Sequence, residues 1–261
     1  MQTLAFAAQL ATFHAFLIVI ARLVPIFLML PAFANRVVIG MVRNGIIAVL
    51  ALVIVPSVNI GALEALPALA WFGIALKEVL IGMLLGFTFS IFLWACENVG
   101  HLIDFQTGSG NAAFFDPLSG QESGPTAGFL GYFAIALFVT GGGLQAMLGI
   151  IFESYRVWPV TSFFPHMHAA LDQFVARQSD SLMDWTIKLA APVIIVLLLA
   201  ELGIGLIGRA MPQFNVFLFS QPIKSALALL MMTLFLYFIF DAMRNFLRPG
   251  SGLLQMLHAI L

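Results

Sequence analysis

The chain has 261 residues, of which 62% are hydrophobic and 9% are charged, and its mean hydropathy is +1.06. Soluble domains carry about 25% charged residues, so this composition indicates a membrane protein. The formal net charge is −1 and the Lys and Arg residues are scattered singly, which argues against a nucleic-acid-binding surface. Cys96 is the only cysteine, so an intrachain disulfide is excluded.

Six apolar stretches predict an all-α protein, because most of them reach the roughly 20 residues that a helix needs to cross a bilayer. In chain order these stretches are Leu4–Leu30, Val37–Val55, Ala68–Cys96, Ala127–Phe152, Leu182–Ile207 and Val216–Phe240. The first is longer than a signal peptide and has no Lys or Arg before Arg22, so we expect it to be retained. No linker rich in Pro and Ser divides the chain, and residues 1–261 are therefore expected to form one architectural unit.

Glycine, proline and charged residues interrupt several of these stretches. Arg22 and Pro25 predict a break in the first stretch. The run Gly141–Gly143 predicts a bend in the fourth. Pro222 and Lys224 predict a cut in the sixth. We therefore expect kinked and broken helices.

The segments between the stretches give two further expectations. Pro165–Trp185 mixes apolar residues with charged ones, which predicts a short amphipathic helix at the surface. Membrane proteins usually concentrate Lys and Arg in alternate loops, but here neither set of alternate loops has a clear excess. We interpret this to mean that partner subunits determine the final position of the chain.

Among the ionisable residues that lie inside apolar stretches, Arg22, Lys77, Glu78 and Glu201 are candidates for a function. An unpaired charge in hydrocarbon costs at least about 2.5 kcal/mol, so each is expected to have a partner or a function. Salt bridges to neighbouring helices or partner subunits are one interpretation, and it is favoured because no repeated carboxylate pattern marks an ion pathway. The alternative is a proton-coupled small-molecule transporter that uses Lys77, Glu78 and Glu201.

Sequence motifs give no support for enzymatic or metal chemistry. His166 and His168 have no third ligand within sequence reach, so we predict no metal site. A nucleophile elbow, a Walker loop, a dinucleotide fingerprint and a zinc-protease helix are all missing from the sequence. We therefore expect no catalytic residue and no cofactor.

The segment 97–126, called the insert below, differs in character from everything around it. Its sequence is ENVGHLIDFQTGSGNAAFFDPLSGQESGPT, which contains acids and glycines but no Lys or Arg. Glycines permit backbone shapes that other residues avoid, and long irregular segments are often functional. Phe105, Phe114 and Phe115 follow no helical period here and could close a channel as a hydrophobic constriction. A static connector at the surface is the alternative interpretation.

Two longer motifs and one shorter motif resemble the FliR/SctT family, the export-gate subunit of type III secretion systems. The first motif lies within Gly100–Ser123 and includes FFDPLSGQES, and the second is PQFNVFLFSQPIK, Pro212–Lys224. The third is ESYRVWP, Glu153–Pro159, which with the first is similar to the injectisome branch, SctT, also known as YscT, SpaR or HrcT. Length and hydropathy resemble the family along essentially the whole chain.

The resemblance implies a non-enzymatic pore subunit at the bacterial inner membrane. Family members assemble with FliP-like (SctR) and FliQ-like (SctS) subunits into a helical ring of tilted helical hairpins, through which unfolded proteins pass. FlhB-like (SctU) and FlhA-like (SctV) proteins and the inner rod are further expected partners, and the ring projects to the periplasmic side. On this basis residues 1–96 form N-terminal hydrophobic helices, 97–126 a plug loop, and 127–261 C-terminal helices that include a FliQ-like hairpin.

The resemblance also implies roles for individual residues. In the family, the loop that corresponds to the insert forms a plug in the closed pore. The residues carried over to the plug are Gln106, Gly108, Gly110, Phe114, Phe115, Asp116 and Pro117. The residues expected to shape a helix instead are Pro212, Gln213, Asn215, Phe217 and Pro222. Thr107 stands where flagellar members tend to have methionine, so the geometry of the seal is expected to differ.

Overall fold

The computed structural model describes residues 2–58, 68–109, 124–161, 168–211, 213 and 215–247. Within these ranges the chain is helical and has no strand, which confirms the predicted all-α class. The helices are α1 (Gln2–Met29), α2 (Gly40–Ile54), α3 (Ala68–Thr107), α4 (Pro125–Thr140), α5 (Gly143–Val157), α6 (His168–Ala210) and α7 (Val216–Leu247). Short 3₁₀ turns at Pro31–Phe33 and Val55–Ser57 follow α1 and α2.

The described helices agree with the membrane character predicted from composition. Five of them, α1, α2, α3, α6 and α7, are long and apolar enough to cross a bilayer. Helices α4 and α5 together would supply a sixth span. The helices therefore follow the six apolar stretches of the sequence.

Two predicted interruptions are wrong. Helix α1 continues through Pro25, and α7 continues through Pro222. A proline inside a helix removes one backbone hydrogen bond, but packing of the flanking residues can hold the helix together. Next to Pro25, Leu23 and Ile26 are completely buried, which explains why α1 is not broken there.

The predicted bend at the triple glycine is confirmed. Helix α4 ends at Thr140 and α5 begins at Gly143. Between them Gly142 has a φ of 85°, a left-handed conformation that glycine adopts without steric cost. The glycine run therefore ends one helix and starts the next.

The predicted short surface helix Pro165–Trp185 is not a separate element. Helix α6 begins at His168 and continues without a break to Ala210, so it also contains the fifth apolar stretch. Residues 168–191 include no glycine or proline, so nothing in the local sequence stops the helix between its polar and apolar parts.

The predicted start of the insert at Glu97 is also wrong, because α3 remains helical as far as Thr107. Val99 and Ile103, four residues apart, are buried on one face of α3, and this packing extends the helix. Phe105 lies on the opposite face with 82% of its surface exposed, so it is a helical residue and not part of an irregular segment. Residues 110–123 lie outside the described ranges.

Contacts among the described residues group the chain into two compact units. Unit 1 comprises the described residues of Met1–Ser90 and Gly143–Gln178. Unit 2 comprises those of Ile91–Gly142 and Ser179–Ser251. The assignment of the whole chain to one export-gate subunit stays a prediction.

In unit 1, α1 and α3 pack at very close range along Gly82, Gly86 and Ser90. A Cβ atom on Gly82 would overlap the backbone oxygen of Arg22, and one on Gly86 would lie 2.9 Å from an α1 backbone atom. Ser90 donates a hydrogen bond to an α1 carbonyl at 3.0 Å. Small residues spaced by four let membrane helices approach closely. This packing places Arg22 beside Glu78.

Candidate functional site

Unit 1 contains a buried ionic cluster, which consists of Arg22 from α1 and Lys77 and Glu78 from α3. The side-chain exposures of these residues are 0%, 3% and 0%. Arg22 donates from Nε and Nη2 to both carboxylate oxygens of Glu78, with Nη2 3.0 Å from Oε1. Lys77 Nζ lies 3.0 Å from the same Oε1. The cluster therefore contains one bidentate ion pair and one additional positive charge.

Both cations of the cluster, Arg22 and Lys77, face the C-terminal end of α5. Arg22 Nη2 donates to the carbonyl of Trp158 at 2.8 Å. Lys77 Nζ donates to the carbonyls of Pro159 and Val160, each at 3.0 Å. Carbonyls at and just beyond a helix C-terminus have no intrahelical partner and carry partial negative charge, so they stabilise cations. The motif ESYRVWP thus ends in acceptors for this cluster.

Side chains of α5 complete the surroundings of Arg22. Ser154 Oγ accepts a hydrogen bond from Arg22 Nη1 at 3.0 Å. The guanidinium carbon lies 4.0 Å from the ring centroid of Tyr155, a cation–π contact. The Tyr155 hydroxyl donates to the carbonyl of Val19 in α1 at 3.1 Å. Arg22 therefore joins α1, α3 and α5.

The geometry of Lys77 bears on ion transport. An ammonium group has three N–H donors, and the acceptors around Lys77 include the two carbonyls beyond α5 and the carboxylate of Glu78. A transported ion or substrate could engage Lys77 or Glu78 only after these buried bonds had broken. The arrangement is suited to holding helices together.

In unit 2, the carboxylate of Asp104 lies between the end of α3 and the start of α4. Asp104 belongs to the last turn of α3 and is 2% exposed. Its Oδ1 accepts a hydrogen bond from the amide of Thr126 at 3.1 Å, and its Oδ2 accepts from the amide of Ala127 at 2.9 Å. These amides are among the first of α4, whose N-terminal end attracts negative charge. Asp104 therefore caps α4 from the neighbouring helix.

The two residues that flank segment 110–123, Ser109 and Gly124, both lie against this carboxylate. On one side, Ser109 Oγ donates to Asp104 Oδ1 at 2.9 Å. On the other, Gly124 lies so close that a Cβ atom there would overlap the carboxylate, which explains the glycine. We call these residues the neck of the insert: Asp104, Ser109, Gly124, Thr126 and Ala127.

Lys224 of α7 connects the neck region to the C-terminal helices. Its Nζ lies 3.3 Å from the carbonyl oxygen of Gln106 and 3.2 Å from Oε2 of Glu201 in α6. The side-chain nitrogen of Gln221 would lie 2.7 Å from a Cβ atom on Gly108, whose φ is 76°. The end of α3 therefore meets the second sequence motif, and the partner of Glu201 is Lys224.

The structure describes only some of the predicted site residues. Gln106 ends α3 with its neighbour Thr107, and Gly108 forms the turn that follows. The carbonyl of Asn215 accepts the amide of Leu218 at 3.2 Å at the start of α7. Gln213 lies in the connection between α6 and α7. The predicted residues outside the described ranges are Gly110, Phe114, Phe115, Asp116, Pro117 and Pro212, and the side chain of Phe217 is also not described.

Sequence reasoning missed several residues that shape the two sites. The sequence alone marks Asp104 only as one of the acids in the insert, because its capped amides lie 22 and 23 residues further along the chain. Ser154 and Trp158 were not identified as partners of Arg22. For Gly82 and Gly86 a signal did exist, since glycines four residues apart in an apolar stretch indicate close helix packing.

Comparison with known proteins gives consistent matches. The family model described as bacterial export proteins, family 1, matches residues 13–249. The chain is 34% identical to Yop proteins translocation protein T of Yersinia pestis over 219 residues, which is 84% of each protein. It is 33% identical to surface presentation of antigens protein SpaR of Salmonella typhimurium, covering 82% of this chain and 80% of that protein. It is 28% identical to flagellar biosynthetic protein FliR of Bacillus subtilis, covering 89% and 90%.

Proposed function

The chain belongs to the FliR/SctT family of bacterial export proteins, and from this premise we propose that it is an export-gate subunit of an injectisome-type secretion system. In this role it forms part of a pore that passes unfolded proteins out of the cell, and it catalyses no reaction itself. The names of the relatives and the membrane-spanning character of the helices support this proposal.

Within this pore, segment 110–123 acts as a plug that is suspended from the neck. The observation that carries this proposal is that Ser109 and Gly124, the residues on either side of the segment, both contact the Asp104 carboxylate. A closed base lets the segment between them enter a pore without separating α3 from α4. Phe114 and Phe115 are the residues that seal the lumen, since apolar constrictions exclude hydrated ions.

Exposed apolar faces support assembly with other membrane subunits. Only 17% of the apolar, membrane-spanning part of α6 is buried within the chain, and only 22% of that of α7. These faces need lipid or other helices, because a large exposed apolar surface marks an interaction site. We assign the FliP-like and FliQ-like subunits to them, with SctU-like and SctV-like proteins as further partners. The inner membrane, with projection to the periplasmic side, is the proposed location.

The test replaces residues 111–122 with a Gly/Ser linker of equal length in the complete secretion apparatus and leaves the neck intact. We expect the apparatus to assemble but to leak small ions across the inner membrane, measured as loss of membrane potential. The matched control replaces residues 61–66, between α2 and α3, in the same way. At the level of single side chains, Phe114→Ala with Phe115→Ala is compared with Phe105→Ala, which lies on the exposed face of α3.

Two outcomes would contradict the proposal. An assembled apparatus with unchanged ion permeability and secretion after replacement of 111–122 would make the insert a static connector. A chain that does not co-purify with FliP-like and FliQ-like proteins, but carries proton-coupled flux alone in vesicles, would instead support the transporter alternative.

A further inference from the structure

A cavity of about 400 Å³ lies in unit 2 between the end of α4 and the last turns of α7, and we call it the α4–α7 groove. Its apolar walls are formed by Leu137 of α4 and by Phe240, Met243 and Leu247 of α7. Met243 is only 2% exposed, whereas Phe240 is 48% exposed, so the groove runs from the interior of unit 2 to its surface. Its volume is within the range of about 300–1,000 Å³ that is typical of sites for small molecules.

Arg244 is the ionisable side chain in the wall of this groove, and it is exposed. The acid nearest to it in the sequence of α7, Asp241, accepts a hydrogen bond from the side-chain amide of Asn245 at 3.1 Å. Within the part of the chain that the structure describes, Arg244 forms no ion pair and donates no side-chain hydrogen bond. A guanidinium group with free donors can bind a phosphate through two parallel N–H···O hydrogen bonds. The mouth of the groove therefore offers a site for a phosphate group.

The C-terminal end of α4 borders the same groove through Thr140 and Gly141. The amide of Gly141 donates to the carbonyl of Leu137 at 2.7 Å. The carbonyls that follow Leu137 in α4 are the last of the helix, and such carbonyls lack intrahelical partners and carry partial negative charge. The groove therefore combines one full positive charge with a region of partial negative charge.

The position of the groove along α7 corresponds to the level of lipid headgroups. Helix α7 has 32 residues, which at a rise of 1.5 Å per residue gives a length of about 48 Å, whereas the hydrocarbon core of a bilayer is about 30 Å thick. A helix of this length that crosses the bilayer places its last turn among the headgroups. Arg244 lies in that last turn, and Phe240 lies one turn closer to the hydrocarbon.

We propose that the α4–α7 groove binds one phospholipid with a zwitterionic ethanolamine headgroup. The phosphate accepts hydrogen bonds from Arg244, and the ammonium group donates to the carbonyls that end α4. The adjoining part of an acyl chain packs on Phe240 and Leu247. A headgroup with both charges matches both polar parts of the groove, whereas a purely anionic headgroup would be repelled by the end of α4. This proposal does not depend on the plug role.

The experiment titrates phospholipids into the full-length chain in mild detergent and measures the apparent Kd of the bound lipid by native mass spectrometry. The lipids have the same acyl chains and differ in the headgroup, which is ethanolamine, choline or glycerol. We expect the ethanolamine lipid to bind most tightly. The choline nitrogen has no N–H to donate to a carbonyl, and the glycerol headgroup has no positive charge.

A pair of arginine variants tests the phosphate site. Arg244→Gln removes the charge from the groove, and we expect the Kd of the ethanolamine lipid to rise about tenfold, since a hydrogen bond from a charged donor is lost. Arg209→Gln is the matched control, because Arg209 is also exposed in the last turn of a membrane-spanning helix, α6, but does not line the groove. We expect its Kd to be unchanged.

A pair of phenylalanine variants tests the apolar wall. Phe240→Ala should raise the Kd about fivefold, because the acyl chain loses apolar contact area. Phe238→Ala is the matched control, since Phe238 is 51% exposed on the same helix but lies outside the groove wall. All of the substituted side chains are exposed, so the variants are expected to fold, which the helical circular dichroism signal checks.

Three results would overturn the proposal. Equal losses of affinity in Arg244→Gln and Arg209→Gln would mean that any exposed arginine attracts the lipid. Equal binding of the three headgroups would reject the match to an ethanolamine group. Loss of the bound lipid when the chain assembles with other membrane subunits would identify a protein surface as the occupant of the groove.

Discussion

The ionic cluster and the neck are both built around a buried carboxylate, but the two carboxylates have different partners. Glu78 binds two cationic side chains, Arg22 and Lys77, which are themselves bonded to the end of α5. Asp104 binds two backbone amides and the hydroxyl of Ser109, all of which are neutral donors. The cluster joins three helices within unit 1, whereas the neck joins the end of α3 to the start of α4 within unit 2.

This difference implies that the two regions contribute differently to stability. Removing one partner of a buried ion pair costs about 3–5 kcal/mol, because the remaining charge is left uncompensated. Removing a helix cap costs about 0.5–2 kcal/mol. The cluster is therefore expected to hold α1, α3 and α5 together more strongly than Asp104 holds the residues of the neck.

The largest expected effect follows from breaking the cluster. Glu78→Gln leaves Arg22 and Lys77 buried without a counter-charge, so we expect a loss of about 3–5 kcal/mol in the free energy of unfolding. The measurement is the amount of chain recovered in assembled complexes, together with the melting temperature of those complexes in mild detergent.

The control for this variant is an exposed ion pair in the same unit. Arg156 lies 3.7 Å from Glu153, and their side chains are 81% and 50% exposed. Exposed pairs contribute at most about 1 kcal/mol, so Glu153→Gln should assemble normally. Equal losses for the two variants would show that burial of the cluster has no particular importance.

A smaller effect is expected at the neck. Asp104→Asn keeps one acceptor oxygen but places an amide NH₂ against a backbone N–H, at a cost of about 1 kcal/mol. We expect normal assembly, faster hydrogen exchange at the amides of Thr126 and Ala127, and a modest ion leak. Ser109→Ala removes only one hydroxyl contact and should have a weaker effect on the same measurements. Loss of assembly in Asp104→Asn would contradict the smaller contribution that we assign to the neck.

Much of the fold could be predicted, because long apolar stretches in this sequence have few alternatives to helix. The errors have local causes. Pro25 does not end α1, since tertiary packing of its neighbours outweighs the lost hydrogen bond. The polar start of α6 contains no residue that ends a helix, so it joins the apolar part. Helix α3 extends into the insert because Val99 and Ile103 are buried.

The sites were predictable to different degrees. Arg22, Lys77 and Glu78 were recognisable because a charge inside an apolar stretch needs a partner. The partners themselves were not, since the acceptors of Arg22 lie 56, 132 and 136 residues away in sequence. Asp104 looked like any acid in a polar segment, and its role as a cap depends on how α3 and α4 meet.

The most direct test of the plug role is the accessibility of Phe114 in the closed and the secreting apparatus. Phe114→Cys can be labelled with a membrane-impermeant maleimide, because the native Cys96 is completely buried and should not react. We predict slow labelling in the resting apparatus and fast labelling when a substrate is trapped in the pore. Equal labelling rates in the two states would contradict the account.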